Sequence, residues 1–249
     1  MAKDEIRFSA LTGESTTDWS VGRHVLQAFE DVSPQLVPEM LYQWEDKVGP
    51  FESVEKTERY WAQVAQMRTS GSLSEFPIGL RWKRNRAVKY EAEISHTGRN
   101  TKGMVIEGRL NVHASMHKKT DWCALGMKLS EAMNSAVAMV HCFASLDNQE
   151  CGFGTPESDF RSFVVVNGQL PNLGWGMFFG GDFAKEVEPD IISAAGFPIQ
   201  RVGKGYWVQV TEDINDVAAD FPMFSKRRVV LKSLFRDDLF LIKDEPMVS

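Results

Sequence analysis

Strict alternation of apolar and polar residues predicts a β-hairpin in the middle of the chain. Residues 88–95 and 104–113 both alternate in this way, and the segment between them, HTGRNTKG, has the composition of a turn. The pattern predicts two antiparallel strands with one buried and one solvated face. On the solvated face, we expect Glu91 and Glu93 to pair with Arg109 across the strands.

Shorter apolar runs predict the remaining strands. A second hairpin is expected where two apolar segments flank Gly203 and Gly205, which are residues typical of tight turns. The strands predicted outside the first hairpin are residues 6–11, 163–166, 199–202, 206–210 and 237–243.

Helical spacing of apolar residues predicts five helices. The first follows Asp18, one of several neighbouring residues that can cap a helix, and carries Trp19, Leu26 and Phe29 on one side. The longest has apolar side chains around most of its circumference, which predicts a central buried helix packed on the sheet. The predicted helices are residues 19–32, 38–44, 53–67, 120–144 and 224–235.

The order of these elements predicts an α+β fold. The hairpins are adjacent in sequence, which disfavours a doubly wound parallel sheet and favours mostly antiparallel sheet packed against helices. A hairpin followed by a long helix occurs twice, as two similar α+β halves would require. We therefore expect one domain over residues 1–249, with a seam between the halves at residues 145–160, where the sequence NQECGFGTP is typical of a loop.

Composition indicates a globular protein of the cytoplasm. A chain of 249 residues with 43% apolar residues is long enough to bury a full core. The charged start MAKDEIRFSALTGE differs from a secretory signal, and no apolar run is long enough to cross a bilayer, so we expect no membrane association. The three cysteines, Cys123, Cys142 and Cys151, are odd in number and indicate free thiols rather than a disulfide framework.

The distribution of charge favours a protein partner. The net charge is −6, and residues 145–249 hold 16 acidic and 10 basic residues, whereas residues 81–119 hold 3 acidic and 10 basic ones. An acidic chain attracts a basic protein more readily than a nucleic acid. The alternative is a nucleic-acid module that uses RWKRNRAVK at residues 81–89, with Trp82 stacked on a base. A strand edge protected by charge explains that run equally well.

Motifs of catalysis are missing from the sequence. It contains neither a dinucleotide-binding fingerprint, nor a phosphate-binding loop, nor a nucleophile elbow. His113 and His117, with Cys123 nearby, lie on a strand and a loop, where i, i+4 spacing does not bring side chains together as it does on a helix. We therefore predict no catalytic residue, no metal and no cofactor. An enzyme whose site residues are distant in sequence remains an alternative.

Two segments of the C-terminal half combine aromatic rings, glycines and carboxylates. In residues 171–190 and 203–220, aromatic residues stand beside glycines and are followed by acidic residues expected on loops and helix starts. Buried rings with solvated acids above them suit a rigid surface for a protein partner, although a core edge with solvating charges has the same pattern. The predicted partner-binding residues are Trp175, Asp182, Glu186, Glu188, Asp190, Trp207, Glu212, Asp213 and Asp216.

The same segments carry a resemblance to a known family. The sequences LGWGMFFGGDFAKEVEPD and GYWVQVTEDINDVAADFPMF, followed by a closing helix, resemble the end of the bacterial proteins called immunity protein 52 and their type VI secretion relatives. The resemblance covers residues 166–235 most clearly and residues 77–144 through the order of hairpin and helix. It implies a non-catalytic α+β protein that binds and neutralises a cognate toxin, often a nuclease with a basic surface.

Overall fold

The fold is α+β and is built on a ten-stranded antiparallel sheet. A computed structural model describes residues 4–69, 72–144 and 154–245. The strands are β1 (Glu5–Thr12), β2 (Met40–Gln43), β3 (Asp46–Pro50), β4 (Val64–Thr69), β5 (Ser72–Pro77), β6 (Leu80–Arg84), β7 (Tyr90–Ser95), β8 (Gly98–Arg99), β9 (Val105–Ile106), β10 (Gly108–Ser115), β11 (Val137–Phe143), β12 (Gly176–Phe179), β13 (Ile199–Val202) and β14 (Gly205–Gln209).

One sheet runs through both halves of the chain. Its strand order is β13-β14-β12-β11-β1-β10-β7-β6-β2-β3, and the pairs β4-β5 and β8-β9 form two small sheets beside it. Strand β1 pairs with β10 on one side and with β11 on the other, so the first strand of the chain joins the N-terminal and C-terminal parts. Most of the predicted seam at residues 145–160, namely residues 145–153, lies outside the described residues.

Helices cover both faces of the C-terminal part of the sheet. The helices of the described chain are α1 (Trp19–Val32), α2 (Val54–Thr57), α3 (Trp122–Ala132), α4 (Pro156–Ser162), α5 (Pro189–Ala194), α6 (Asp216–Ala219) and α7 (Phe221–Lys232), and short 3-10 helices span Pro34–Leu36, Glu58–Tyr60 and Gly181–Glu186. On one face, Gly126 of α3 packs so tightly that a Cβ there would lie 2.6 Å from the ring of Trp207. On the other, Phe235 beyond α7 stacks on Phe179 of β12 at 5.1 Å.

The predicted central hairpin is confirmed in its pairing and wrong in its ion pair. Strands β7 and β10 are antiparallel neighbours, and their apolar residues are buried while the alternate ones face outward. The Glu91 carboxylate, however, pairs with Arg81 at 3.3 Å and Lys83 at 2.8 Å, both on β6. Arg109 donates instead to the carbonyl of Ser162 at 2.7 Å, because α4 lies over this end of the sheet.

The predicted long helix at residues 120–144 is wrong, because this segment forms helix α3 and then strand β11. Helix α3 ends at Ala132, Asn134 adopts a left-handed φ of 44°, and the chain returns as β11. All seven residues of β11 are buried, since helices cover both its faces. A strand buried on both sides has no polar alternation, so its apolar run resembles a buried helix in sequence.

Of the other predicted helices and strands, the structure confirms some and contradicts others. Helix α1, capped by the Asp18 carboxylate, the hairpin β13-β14 and helix α7 are confirmed. The predicted helix at 38–44 is strand β2, and the one at 53–67 stops after α2 and a 3-10 turn before β4 begins. The predicted strands at 163–166 and 237–243 are wrong: Phe163 caps α4 with a left-handed φ of 50°, and in the second segment only Phe240 forms an isolated bridge, to Leu170.

Candidate acidic interaction surface

The predicted carboxylates lie at the protein surface. Asp182, Glu188, Asp190, Glu212 and Asp213 are exposed, and Glu186 and Asp216 are partly exposed. Residues 181–220, which contain all seven, hold eight acidic residues and three basic ones. We call these seven carboxylates the acidic surface. Its excess of negative charge follows from residues that stay hydrated and therefore do not enter the core.

The first group of the acidic surface follows strand β12. Gly180 leads the chain out of the strand, where a Cβ would come within 2.2 Å of the Ser135 carbonyl oxygen, and the 3-10 helix Gly181–Glu186 begins next. Asp182 forms an ion pair with Lys185 at 2.6 Å, and that hydrogen bond lowers the pKa of the carboxyl. Glu186 pairs with Arg236 at 3.0 Å.

Two further carboxylates of this group mark the start of α5. Glu188 occupies the N-cap position of the helix, and Asp190 lies in its first turn, behind a proline at the first helical position. Acidic residues at a helix start compensate the positive end of the helix dipole. Neither carboxylate forms an ion pair with a residue in the described part of the chain. Both are therefore available to a basic partner.

The second group follows strand β14 and is held by a buried tryptophan. The indole nitrogen of Trp175 donates to the Thr211 hydroxyl at 3.1 Å, and that hydroxyl donates to the Asp213 carbonyl at 3.0 Å. The Asp213 carboxylate accepts from the backbone and side-chain amides of Asn215 at 2.9 and 2.6 Å. These bonds form a compact turn that presents the Glu212 and Asp213 side chains to solvent.

Both tryptophans predicted as partner anchors are core residues. Trp175 is 2% exposed and Trp207 is 1% exposed. Trp207 packs against Gly126 and Gly176, where only glycine leaves room for its ring. In this structure neither ring reaches a surface that a partner can contact. The predicted role of anchor is therefore wrong for both rings in this structure, and Trp175 instead bonds to the acidic turn from within the core.

The first group begins at the opposite end of β14 from the second group. Phe179, at the end of β12, pairs with Tyr206 near the start of β14, whereas Gly176 pairs with Gln209 at its end. The five residues of β14, about 13 Å long, separate the start of the first group at Asp182 from the second group. Helix α5 connects the two ends, because its chain continues to Pro198, whose carbonyl accepts from Gln209. The acidic surface is thus an extended strip rather than one cluster.

A groove of about 560 Å³ lies beside the second group. Glu212, Asp216, Phe197 and Arg227 line it. Arg227 does not neutralise the two acids, because it donates to the carbonyls of Val210 at 2.8 Å and Gly196 at 2.9 Å and covers the ring of Phe197. Within the described ranges, Glu212 and Asp216 have no ion-pair partner.

The basic run at residues 81–89 is occupied by internal contacts. Trp82 is fully buried, so its ring does not stack on a base. Arg84 and Arg86 lie 4.0 and 3.7 Å from the Glu39 carboxylate, and Arg84 also donates to the Val37 carbonyl. The prediction of a charge-protected strand edge is wrong, because β6 is paired on both sides, with β7 and with β2.

His113, His117 and Cys123 do not come together as a metal site, because each contacts different neighbours. His113 contacts the Glu5 carboxylate at 3.2 Å, and His117 contacts the Thr120 hydroxyl at 3.0 Å. Burial raises the pKa of the Cys123 thiol to about 11, which disfavours the nucleophilic thiolate. Among the described residues, no three of His, Cys, Asp and Glu lie in a group that would hold a metal ion.

The most exposed aromatic residue that the structure describes was not among those predicted to bind a partner. Trp44 is 62% exposed at the turn between β2 and β3, with a left-handed φ of 51°, and its ring lies 6.4 Å from that of Phe76. Nothing local in the sequence separates it from the buried tryptophans. Trp44 is exposed because the hairpins β2-β3 and β4-β5 place it at a turn away from the core.

Comparisons with known proteins show a shared fold. No protein-family model matches the sequence, and no curated protein matches it. Among solved structures the chain is similar to one described as the Pseudomonas aeruginosa T6SS protein PA0821, with a TM-score of 0.59, 10% sequence identity, and coverage of 98% of this chain and 75% of that one. In the described ranges no helix has the length and apolar character to cross a membrane. The chain therefore shares the fold of this secretion-system protein over nearly its whole length.

Proposed function

We propose that this protein is an immunity protein of a type VI secretion system. It binds a cognate toxin in the cytoplasm, one to one, and neutralises it without catalysing a reaction. The toxin is a basic protein, in the first instance a nuclease effector, because a nuclease carries positive charge where it holds phosphate. The residue motifs at 166–235 resemble immunity proteins, and the fold is shared with a protein described as a T6SS protein.

One observation carries the proposal. Glu188, Asp190, Glu212 and Asp216 are held on a rigid frame at the surface without ion-pair partners in the described part of the chain. A backbone that is already ordered lowers the entropy cost of binding, and the unpaired acids on it steer a basic partner toward the surface. An ordinary solvated surface would more often intersperse charges of both signs.

A rescue experiment tests this function. The toxin gene adjacent to this one is expressed in a bacterial host, with and without this protein. We expect growth to be restored by the protein, and a one-to-one complex to be recovered by size-exclusion chromatography. If the toxin is a nuclease, the host DNA stays intact. Failure of this protein to neutralise any toxin encoded beside it contradicts the proposal.

A matched pair of variants separates neutralisation from expression level. Glu212→Lys with Asp216→Lys reverses the charge of the groove, whereas Glu107→Lys reverses an exposed carboxylate outside the acidic surface. We expect the first to lose rescue and the second to keep it at equal protein level.

A further inference from the structure

A glycine-lined cleft lies next to the first group of the acidic surface. It has a volume of about 330 Å³ and opens where β1 and β12 end, beside the C-terminus of α3 and the turn between β13 and β14. Gly181, which precedes Asp182, forms part of its wall, so the cleft is continuous with the acidic surface. We call it the α3 cleft.

Glycines make the α3 cleft open to an inserted side chain. Gly13, Gly181 and Gly203 line it, and the last two have left-handed φ values of 49° and 52°. A Cβ on Gly13 would meet no atom within 4 Å. Because these wall positions carry no side chain, the backbone itself is the surface that a ligand meets.

A buried hydroxyl in the wall lacks a partner. Ser135 is 3% exposed and lines the cleft, and its Oγ forms no hydrogen bond with any residue that the structure describes. Buried polar groups are nearly always hydrogen-bonded, since leaving one unpaired costs free energy. Because Ser135 is a lining residue of the cleft, a polar ligand group that displaces the wall slightly would give this hydroxyl a partner.

The electrostatics of the α3 cleft favour a cation. The exposed carboxylates of Glu14 and Glu131 lie on its lining. The C-terminus of α3 also faces it through Ser130 to Ser135, and the last turn of that helix contains no basic residue to balance the negative end of the dipole. The lining contains one base, Lys204, which is exposed and forms no ion pair within the described ranges.

We propose that the α3 cleft binds the guanidinium group of an arginine side chain. A planar group with five N–H donors can bond to two carboxylates, those of Glu14 and Glu131, more readily than a compact ammonium group does. The occupant is an arginine of the basic toxin, and this assignment to the toxin rests on the proposed function. The binding of a guanidinium group by the isolated protein does not depend on the proposed function.

Titration of the isolated protein with N-acetyl-L-arginine amide tests the cleft itself. We expect amide NMR shifts at Ser135, Gly181 and Gly203, with a Kd on the order of 1–10 mM for a single such group. The norvaline amide, which lacks the guanidinium, should leave these signals in place. Equal shifts with both compounds, or none with the arginine amide at about 50 mM, would overturn the proposal.

Variants of charge locate the binding group. Glu14→Gln with Glu131→Gln should lower the affinity for the arginine amide by about tenfold, because two charge-assisted hydrogen bonds are removed. Lys204→Gln should raise the affinity for the arginine amide by about twofold to fivefold, because it removes a positive charge that repels the guanidinium. Unchanged affinity in both variants refutes the assignment.

A variant that fills the cleft links it to the toxin. Gly13→Leu places a side chain in the opening without a clash, and Gly98→Leu is its matched control, since a Cβ there also meets no atom within 4 Å. We expect only Gly13→Leu to abolish binding of the arginine amide and to weaken toxin binding at least tenfold, with unchanged unfolding midpoints. If amide binding is lost and toxin binding is not, the occupant is not the toxin. If rescue by the protein fails while the amide binds, the proposed function alone is refuted.

Discussion

The indole nitrogen of Trp175 donates to the hydroxyl of Thr211 over 3.1 Å, and this bond joins the core to an acidic turn. The ring is 2% exposed, while Glu212 and Asp213 on the same turn are exposed. A buried donor of this kind restricts the turn without appearing at the surface. A residue predicted to touch a partner thus lies one layer beneath the exposed carboxylates.

Replacement of Trp175 by phenylalanine tests that relationship. We expect Trp175→Phe to lower the free energy of unfolding by about 1–3 kcal/mol, through the lost hydrogen bond and the smaller ring. Urea denaturation measures the loss, and hydrogen exchange at the amides of residues 212–215 should become faster. Trp44→Phe, at a 62% exposed position, is the control and should change stability by less than about 0.5 kcal/mol. Equal losses in both variants would contradict the assigned role.

Under the proposed function, charge reversal of the acidic surface should slow association with the toxin. We expect Glu188→Lys with Asp190→Lys to reduce the association rate about tenfold at low salt, and the difference from the wild type to shrink as salt screens the charges. Stopped-flow or surface plasmon resonance measures the rates. The pair Glu212→Lys with Asp216→Lys reports the second group separately. Wild-type rates in both double variants would show that the surface does not face the toxin.

The acid stability of the fold should depend on Glu5. The hydrogen bond with His113, and next the one with Arg7, lower the pKa of Glu5 from 4.5 to about 2 against the opposing effect of partial burial. Because its pKa is lower in the folded state, the carboxylate stabilises the fold above about pH 4.5, and this contribution is lost as the pH falls toward 2. We expect Glu5→Gln to cost about 1 kcal/mol at pH 6, a value reduced for solvent screening, and much less at pH 2.5.

Urea unfolding of the wild type and Glu5→Gln at both pH values measures this difference. Glu107→Gln replaces an exposed carboxylate away from Glu5, Arg7 and His113 and serves as the control. It should show no pH-dependent loss of stability. A cost for Glu5→Gln that is independent of pH would contradict the ionic origin.

The buried charges near the C-terminal end of the described chain should be costly to disrupt. The Glu245 carboxylate pairs with Arg228, whose side chain is 0% exposed, and with Lys232 at 2.6 Å. Burial lowers the pKa of Lys232, and the nearby carboxylate opposes this effect. We expect Glu245→Ala to destabilise the protein by about 3–5 kcal/mol, because it leaves buried positive charge uncompensated.

A double variant distinguishes the ion pair from simple packing. Arg228→Met combined with Glu245→Leu should recover part of the stability that Glu245→Ala loses, since apolar residues of similar size carry no desolvation penalty. Thermal or urea unfolding reports both. A double variant less stable than Glu245→Ala would contradict this account.

Local signals predicted the elements that local contacts specify. Helix α1 has an apolar stripe and an Asp18 cap, and the hairpin β13-β14 has glycines at its turn, so each carries its own determinants in adjacent residues. The exposure of the carboxylates was also predictable, because ionised groups lose hydration when buried.

Elements whose environment is non-local were not predictable. Strand β11 is buried on both faces only because α3 and the α6–α7 region pack against it, and its apolar run is compatible with a helix. Strand β2 depends on pairing with β3 and β6, and the local sequence with its preceding proline is equally typical of a helix start. Long-range partners decided both cases.

The sequence by itself determined an α+β fold with antiparallel hairpins, and an acidic, solvated set of carboxylates in the C-terminal half. Only the tertiary structure decided that Trp175 and Trp207 lie inside while Trp44 lies outside, and that the carboxylates form a strip ending at the α3 cleft. The physical reason is that hydration of charge and the geometry of turns are local properties. Burial of an aromatic ring and the formation of a cleft depend on which distant segments pack together.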